Sequence, residues 1–223
     1  MSALIASIEG IGFWTRGLPS WDAARAYVDS GLLPDQPPAR PSPQLLAPNE
    51  RRRAPESVAV ALEVALAACT AAGREPAALP SVFASMHGDL SITDYMCATL
   101  VDDPTSISPT RFHNSVHNAA AGYWTIGAGC VQAATAISSF DATFAQGLIE
   151  AMAQLHAGAP AVLLVAYDAP SAGPLAEVSR SSGLLGAALV LAAPRDDDRQ
   201  AGRRRLDARL LDADAPAPGG RLA

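Results

Sequence analysis

VQAATAISSFDATFAQGLIEAMAQLHAGAPAVLLVAYD, residues 131–168, carries the reading of the fold. It opens with a short apolar run of strand length, residues 131–138. Ser138, Ser139 and Asp141 follow as candidate helix caps. Phe144, Leu148, Met152 and Leu155 then recur at helical spacing, and Gly158 followed by Pro160 ends the helix. Only Thr143, Gln146, Glu150 and Gln154 form a polar stripe, so the helix is expected to be covered on more than one side. Residues 161–166, AVLLVA, form the continuous apolar run of a strand buried on both faces of an α/β sheet. The segment reads as strand, sharp turn, helix, strand.

A turn of this kind points the positive end of a helix at whatever it carries, which acidifies a thiol and steadies developing negative charge. Here it carries Asp141, a residue type that helix capping explains directly. Ser138 or Ser139, paired with His113 or His117, would be the alternative nucleophile of an acyltransferase or thioesterase.

Outward from this segment the order of elements is simple. Residues 3–11 read as a first strand ending in glycines, and residues 21–28 as a short amphipathic helix. Residues 33–49 contain six prolines and are expected to be an irregular surface loop. A long helix follows from Pro55 to Gly73, with Val58, Leu62, Leu66 and Cys69 on one face. Residues 81–85 and 184–193 read as further strands. After Pro194 the composition turns polar and charge-mixed, so a domain over 1–194 and a partly ordered tail over 195–223 are expected, with a short element around 206–211.

Composition bounds the function. A chain of 223 residues, 49% hydrophobic, suffices for one sizeable core. All 16 basic residues are arginine, which removes Walker-type phosphate binding and lysine Schiff-base chemistry. The net charge of −6 argues against nucleic acid as a partner. No apolar run approaches the ~20 residues of a membrane span. The N-terminus lacks the basic region of a signal peptide, so a cytoplasmic protein is expected. Cys69, Cys97 and Cys130, odd in number and widely spaced, read as reduced, buried thiols. His113 and His117, four apart, have no acidic third ligand nearby and read as packing or hydrogen-bonding groups; no metal and no cofactor are expected. His87, Gly88 and Asp89 read as a loop with Asx-type hydrogen bonding.

The succession IASIEGIGFW, VFASMHGDL, ISPTRFHNSVHNAAAGY, a helix ending LHAG and the strand AVLLVAYD resembles the N-terminal half of a β-ketoacyl synthase of the thiolase-like superfamily, and more closely the chain-length factors. The resemblance implies an α/β fold with a mixed sheet layered by helices. Counting back from Gly158, it places the family's catalytic cysteine on Asp141. Ketosynthases take two further polar catalytic groups, histidines or a histidine and an asparagine, from a second half; no histidine follows His156 here. The resemblance therefore implies a subunit without catalysis of its own, partnered with a full-length ketosynthase as a heterodimer that shapes the acyl tunnel in polyketide, aryl polyene or fatty-acid-type elongation. By the same resemblance, Val131, Ala133, Thr135 and Ile137 are the partner-interface candidates, and Ile92, Tyr95, Met96 and Leu100 the tunnel candidates. Arg51, Arg52 and Arg53 stand just before the long helix, where the dipole disfavours them, and are candidate contacts for an acidic acyl carrier protein. A structural scaffold for a ketosynthase, without contact to substrate, is the remaining reading. A missing covering half leaves the apolar face of residues 142–155 open, so self-association is expected of the chain alone.

Overall fold

The computed structural model describes residues 4–177, 179, 181–196, 198 and 202–209. In chain order they form β1 (Leu4–Thr15), α1 (Trp21–Ser30), α2 (Pro48–Arg53), α3 (Glu56–Ala72), β2 (Ser81–Ala84), α4 (Leu90–Asp102) and α5 (Pro109–Asn114). Then come α6 (Ala119–Ala128), β3 (Ala134–Ile137), α7 (Thr143–His156), β4 (Ala161–Asp168), β5 (Leu185–Ala192) and β6 (Arg204–Ala208). The strands make one mixed sheet in the order β3-β2-β4-β5-β1-β6. β2 runs parallel to β3 and β4, and the other neighbours are antiparallel.

Both faces of the sheet are covered. Leu163 and Val165 of β4 face a core shared with Trp14, Leu62, Phe83 and Trp124, under α3 and α6. Val162 and Leu164 face the opposite core, with Val82, Met152 and Leu191 under α7. This two-sided burial is why β4 reads as an unbroken apolar run.

α3 is buried through consecutive positions from Ser57 to Leu62, not along one face. Leu45 and Leu46 from the proline-rich segment and α6 cover the side that the sheet does not. The helix also lies unusually close to β1. A Cβ on Gly12 would stand 1.9 Å from the Val64 carbonyl oxygen, and one on Gly10 2.1 Å from that of Ala68. The strand does not end at these glycines as expected but runs on to Thr15, and Gly10 and Gly12 inside it make room for a helix backbone.

α7 is rotated from its expected orientation. Thr143, Gly147, Ala151, Met152 and Leu155 are buried, whereas Phe144 is 48% exposed and Leu148 only half-buried. Gly147 sets the rotation, because a Cβ there would lie 3.0 Å from the Ala84 Cβ and 3.2 Å from Leu164 Cδ1. The small-residue face rests on the sheet, and the larger Phe144 points out.

β3 is shorter than the run that predicts it. Gly129 takes a left-handed φ of 62° and the Cys130 N–H returns to the Thr125 carbonyl at 2.9 Å, so the chain is still closing α6 at residue 130. The ladder with β2 opens only at Ala134, opposite Ser81. At the other edge, β6 pairs with β1 and lies within residues 195–223. Its approach is held by charge: Arg74 makes two bonds to Glu9, at 2.7 and 3.0 Å, and Arg203 reaches Asp198 at 3.0 Å and Glu9 at 3.9 Å. Asp198 also accepts from the Ser7 hydroxyl. The short element expected around 206–211 is this strand, as far as Ala208; residues 210–211 lie outside the described residues.

Candidate functional site

The carboxyl ends of β2, β3 and β4 come together on one rim of the sheet, the position where open α/β sheets hold their ligands. Three segments leave the sheet there: residues 85–89 after β2, the turn 138–142 after β3, and Asp168 with the chain beyond β4.

The turn after β3 has its apex at Phe140, whose φ of 46° lies in the left-handed region that bulky residues avoid. Thr143 holds it. Its Oγ1 accepts from the Ser139 N–H at 2.9 Å and donates to the Phe140 carbonyl at 2.6 Å. α7 has no side-chain cap, so Asp141 is not the cap that its residue type suggested; it stands exposed in the single 3₁₀ turn 140–142. The Phe140 ring is 72% exposed and meets the His87 ring edge-on at 5.9 Å.

Behind this turn lies a hydrogen-bonded polar cluster. Asp168 accepts from the Ser85 hydroxyl at 3.1 Å and from the Met86 N–H at 3.0 Å. Burial pushes its carboxyl above the ordinary value, against the opposing pull of those two donors and of His87 and His117. His117 Nε2 lies 2.8 Å from the Ser85 carbonyl, which can only accept, so that nitrogen carries the proton. The Ser138 hydroxyl donates to the Met86 carbonyl at 2.6 Å. Asp89 caps α4 through the Ile92 N–H at 3.1 Å and also takes the Ser57 hydroxyl at 2.7 Å, the Asx-type arrangement expected of that loop.

Among the described residues, the rim hydroxyls of Ser85 and Ser138 are bonded to Asp168 and to a backbone carbonyl. No hydrogen bond among the described residues joins a histidine ring to the hydroxyl of Ser138 or Ser139; His113 instead rests edge-on against Tyr123 at 5.9 Å. His113 belongs to α5 and His117 lies beyond its end, so they do not share one helical face. Among the described residues no group of three or more metal-ligating side chains converges. Cys69 is buried, and burial raises its thiol to about 12; Cys130 is buried beneath the Leu79 carbonyl. Cys97, expected buried, is exposed on α4 because that helix packs against α5 and the segment after β4 and not on the sheet.

A family model described as the β-ketoacyl synthase N-terminal domain matches residues 21–214. The chain belongs to this family. Among solved structures, it matches a chain of a ketosynthase in complex with its chain length factor from Xenorhabdus doucetiae at 25% identity and a TM-score of 0.72, covering 86% of this chain and 80% of that one. It matches the ishigamide ketosynthase/chain length factor at 16% identity and a TM-score of 0.70 over 84% of this chain, and a β-ketoacyl synthase from Burkholderia phymatum at 15% and 0.62 over 88%. It spans less than two thirds of the length of these last two, 62% and 60%. No curated protein matches. The sheet is thus the thiolase-like ketosynthase sheet, and the turn at Phe140 stands between a strand and a helix of that fold.

In this ketosynthase-type domain the interface candidates divide. Thr135 and Ile137 lie in the edge strand β3, whereas Val131, 93% exposed, and Ala133 precede it. Of the tunnel candidates, Ile92 is buried at the start of α4, Tyr95 and Met96 are half-buried, and Leu100 is 52% exposed. The three arginines occupy the last turn of their own helix, α2, where the dipole favours positive charge, so the expected conflict with a helix start does not arise. Arg51 turns inward and donates to the Leu46 carbonyl at 3.0 Å, while Arg52 and Arg53 are exposed. Among the described residues no membrane-spanning helix occurs.

Sequence reasoning passed over Ser85, Phe140 and Asp168. Asp168 had a legible signal, a carboxylate ending an otherwise apolar strand; Phe140 had none.

Proposed function

We propose that the chain is a non-catalytic ketosynthase-like subunit, a chain-length factor, that pairs with a complete β-ketoacyl synthase and shapes its acyl tunnel during polyketide, aryl polyene or fatty-acid-type elongation. The carrying observation is the turn itself: the resemblance puts the family's cysteine on Asp141, and among the described residues no hydrogen bond joins Ser138 or Ser139 to a histidine ring. Ketosynthase condensation passes through an acyl thioester on the cysteine, and neither the Phe140 ring nor the Asp141 carboxylate supplies a thiolate. The match to a ketosynthase in complex with its chain length factor supports the same reading.

Ile92, at the buried start of α4, is the first of the tunnel residues, followed by Tyr95, Met96 and Leu100. The edge of β3 is the pairing surface for the full-length ketosynthase. Arg52 and Arg53 are the contacts for an acidic carrier protein, Arg51 being committed to the fold. The test is product length in a reconstituted system with the partner ketosynthase and carrier protein. Ile92→Phe shortens the product if the chain walls the tunnel, and unchanged length assigns the chain to scaffolding alone. Turnover of acyl thioesters by the isolated chain, lost on Ser139→Ala, would replace this reading with that of a stand-alone acyltransferase or thioesterase.

A further inference from the structure

Half of β1 has a free edge. β5 runs along one side of the strand as far as Thr15, whereas β6 pairs with the other side only from Leu4 to Ile8. Thr15 shows which residues face that free side. It exchanges two backbone hydrogen bonds with Leu18, each 3.0 Å, so its N–H and C=O point away from β5. In an antiparallel ladder such residues alternate with those bonded to the neighbouring strand, so Phe13 and Ile11 turn both their backbone groups to the same side. No hydrogen bond among the described residues takes them up there. Both residues line a cavity of about 430 Å³ between β1, the start of α1 and α3, into which α3 contributes Glu63, Leu66 and Ala67. The charged residues on its walls, Asp22 and Glu63, are both acidic. Glu63 accepts from the Ser42 N–H at 3.1 Å through one oxygen only.

We infer that this groove binds an extended, basic peptide segment of another protein, which adds to the edge of β1 as a further strand. Two donors and two acceptors in strand register are what an incoming strand pairs with, and a small ligand would leave most of them unmet. The guest residue opposite Gly12 points its side chain to the α3 face, where Leu66 and Ala67 ask for an apolar group. A basic side chain two positions along the same face meets Glu63, and the acidic walls disfavour an acidic guest. Thr15 limits the strand at one end, because Leu18 already occupies its edge. The site rests on the edge of β1 and is independent of the chain-length reading.

The test is fluorescence anisotropy of an acetylated peptide, Arg-Thr-Val-Thr-Val, labelled at its C-terminus and titrated with the full chain. Laid antiparallel to β1, its two threonines exchange hydrogen bonds with Phe13 and Ile11, its first valine lies opposite Gly12 and its arginine reaches Glu63. Saturable binding is expected, and N-methylation of both threonines should weaken it about tenfold or more. Glu63→Gln should weaken the arginine peptide about threefold and leave a glutamine-for-arginine peptide unchanged. Ile11→Pro removes an edge N–H without touching the ladder to β5 and should weaken binding about tenfold. Should Ile11→Pro fail to fold, the N-methylated peptide on the parent chain decides. Absence of saturable binding, or equal binding of the N-methylated peptide, would overturn the site. So would a self-association abolished by Ile11→Pro in a chain that ignores the peptide, which would give the edge to a second copy.

Discussion

Phe140 occupies a left-handed backbone position that costs a bulky residue roughly 1–2 kcal/mol, and Thr143 and the His87 ring hold it there. Nothing in the type of residue 140 announces that conformation, whereas Asp141 beside it reads as a helix cap and in the structure caps nothing. Gly12 is a second case, since the sequence read the glycines as ending the strand, whereas the structure runs the strand through them and uses the missing side chain for the approach of α3. Gly12→Ala drives a Cβ into the Val64 carbonyl and should lower unfolding stability by about 3 kcal/mol or more, read by urea denaturation. Asp168 carries a pH dependence. Burial, its largest influence, raises the folded-state carboxyl above the ordinary 3.8, so the folded chain holds that proton more tightly than the unfolded one. The resulting stabilisation is complete below about pH 3.8 and is lost as the pH rises through the folded value. Asp168→Asn removes this dependence while keeping an acceptor for Ser85 and Met86. Its Tm should therefore gain on the parent's as the pH rises above about 3.8, and a constant gap would contradict the assignment.

At the scale of elements, periodicity located most of the strands and helices, because apolar spacing reports burial wherever packing follows residue size. It misplaced the buried face of α7 because Gly147 approaches the sheet and turns Phe144 outward, a choice made by close packing and invisible to a count of large residues. Sheet order was equally hidden, since it depends on contacts between distant segments. β3 is an edge: the carbonyls of Ala133 and Ile137 accept from Ser81 and Ser85, so by strand alternation the N–H of Ala136 points away from β2. Ala136→Pro should leave the melting temperature nearly unchanged and abolish pairing with a partner strand, measured by co-purification. At the far edge, the charge cluster ties β6 to β1 and α3. Arg74→Ala leaves the nearly buried Glu9 without its closest partner and should destabilise the chain by about 3–5 kcal/mol in urea titration.

For the whole molecule, the sheet is covered by α3 and α6 on one face and by α7 on the other, and α7 presents Phe144 and Ile149 outward beside the exposed Phe140 and Val131. The sequence made an open face legible through the narrow polar stripe of α7; which residues form it had to come from the rotation of that helix. Isolated chain should self-associate in a concentration-dependent way by light scattering, and Phe144→Glu should reduce that association without lowering the Tm. The same surface and the edge of β3 are what a ketosynthase partner would cover. The most direct test of the non-catalytic partner role is native mass spectrometry of this chain co-expressed with a full-length ketosynthase from the same source. A one-to-one heterodimer is the predicted species; a chain that recovers alone while the ketosynthase forms its own homodimer would contradict the account.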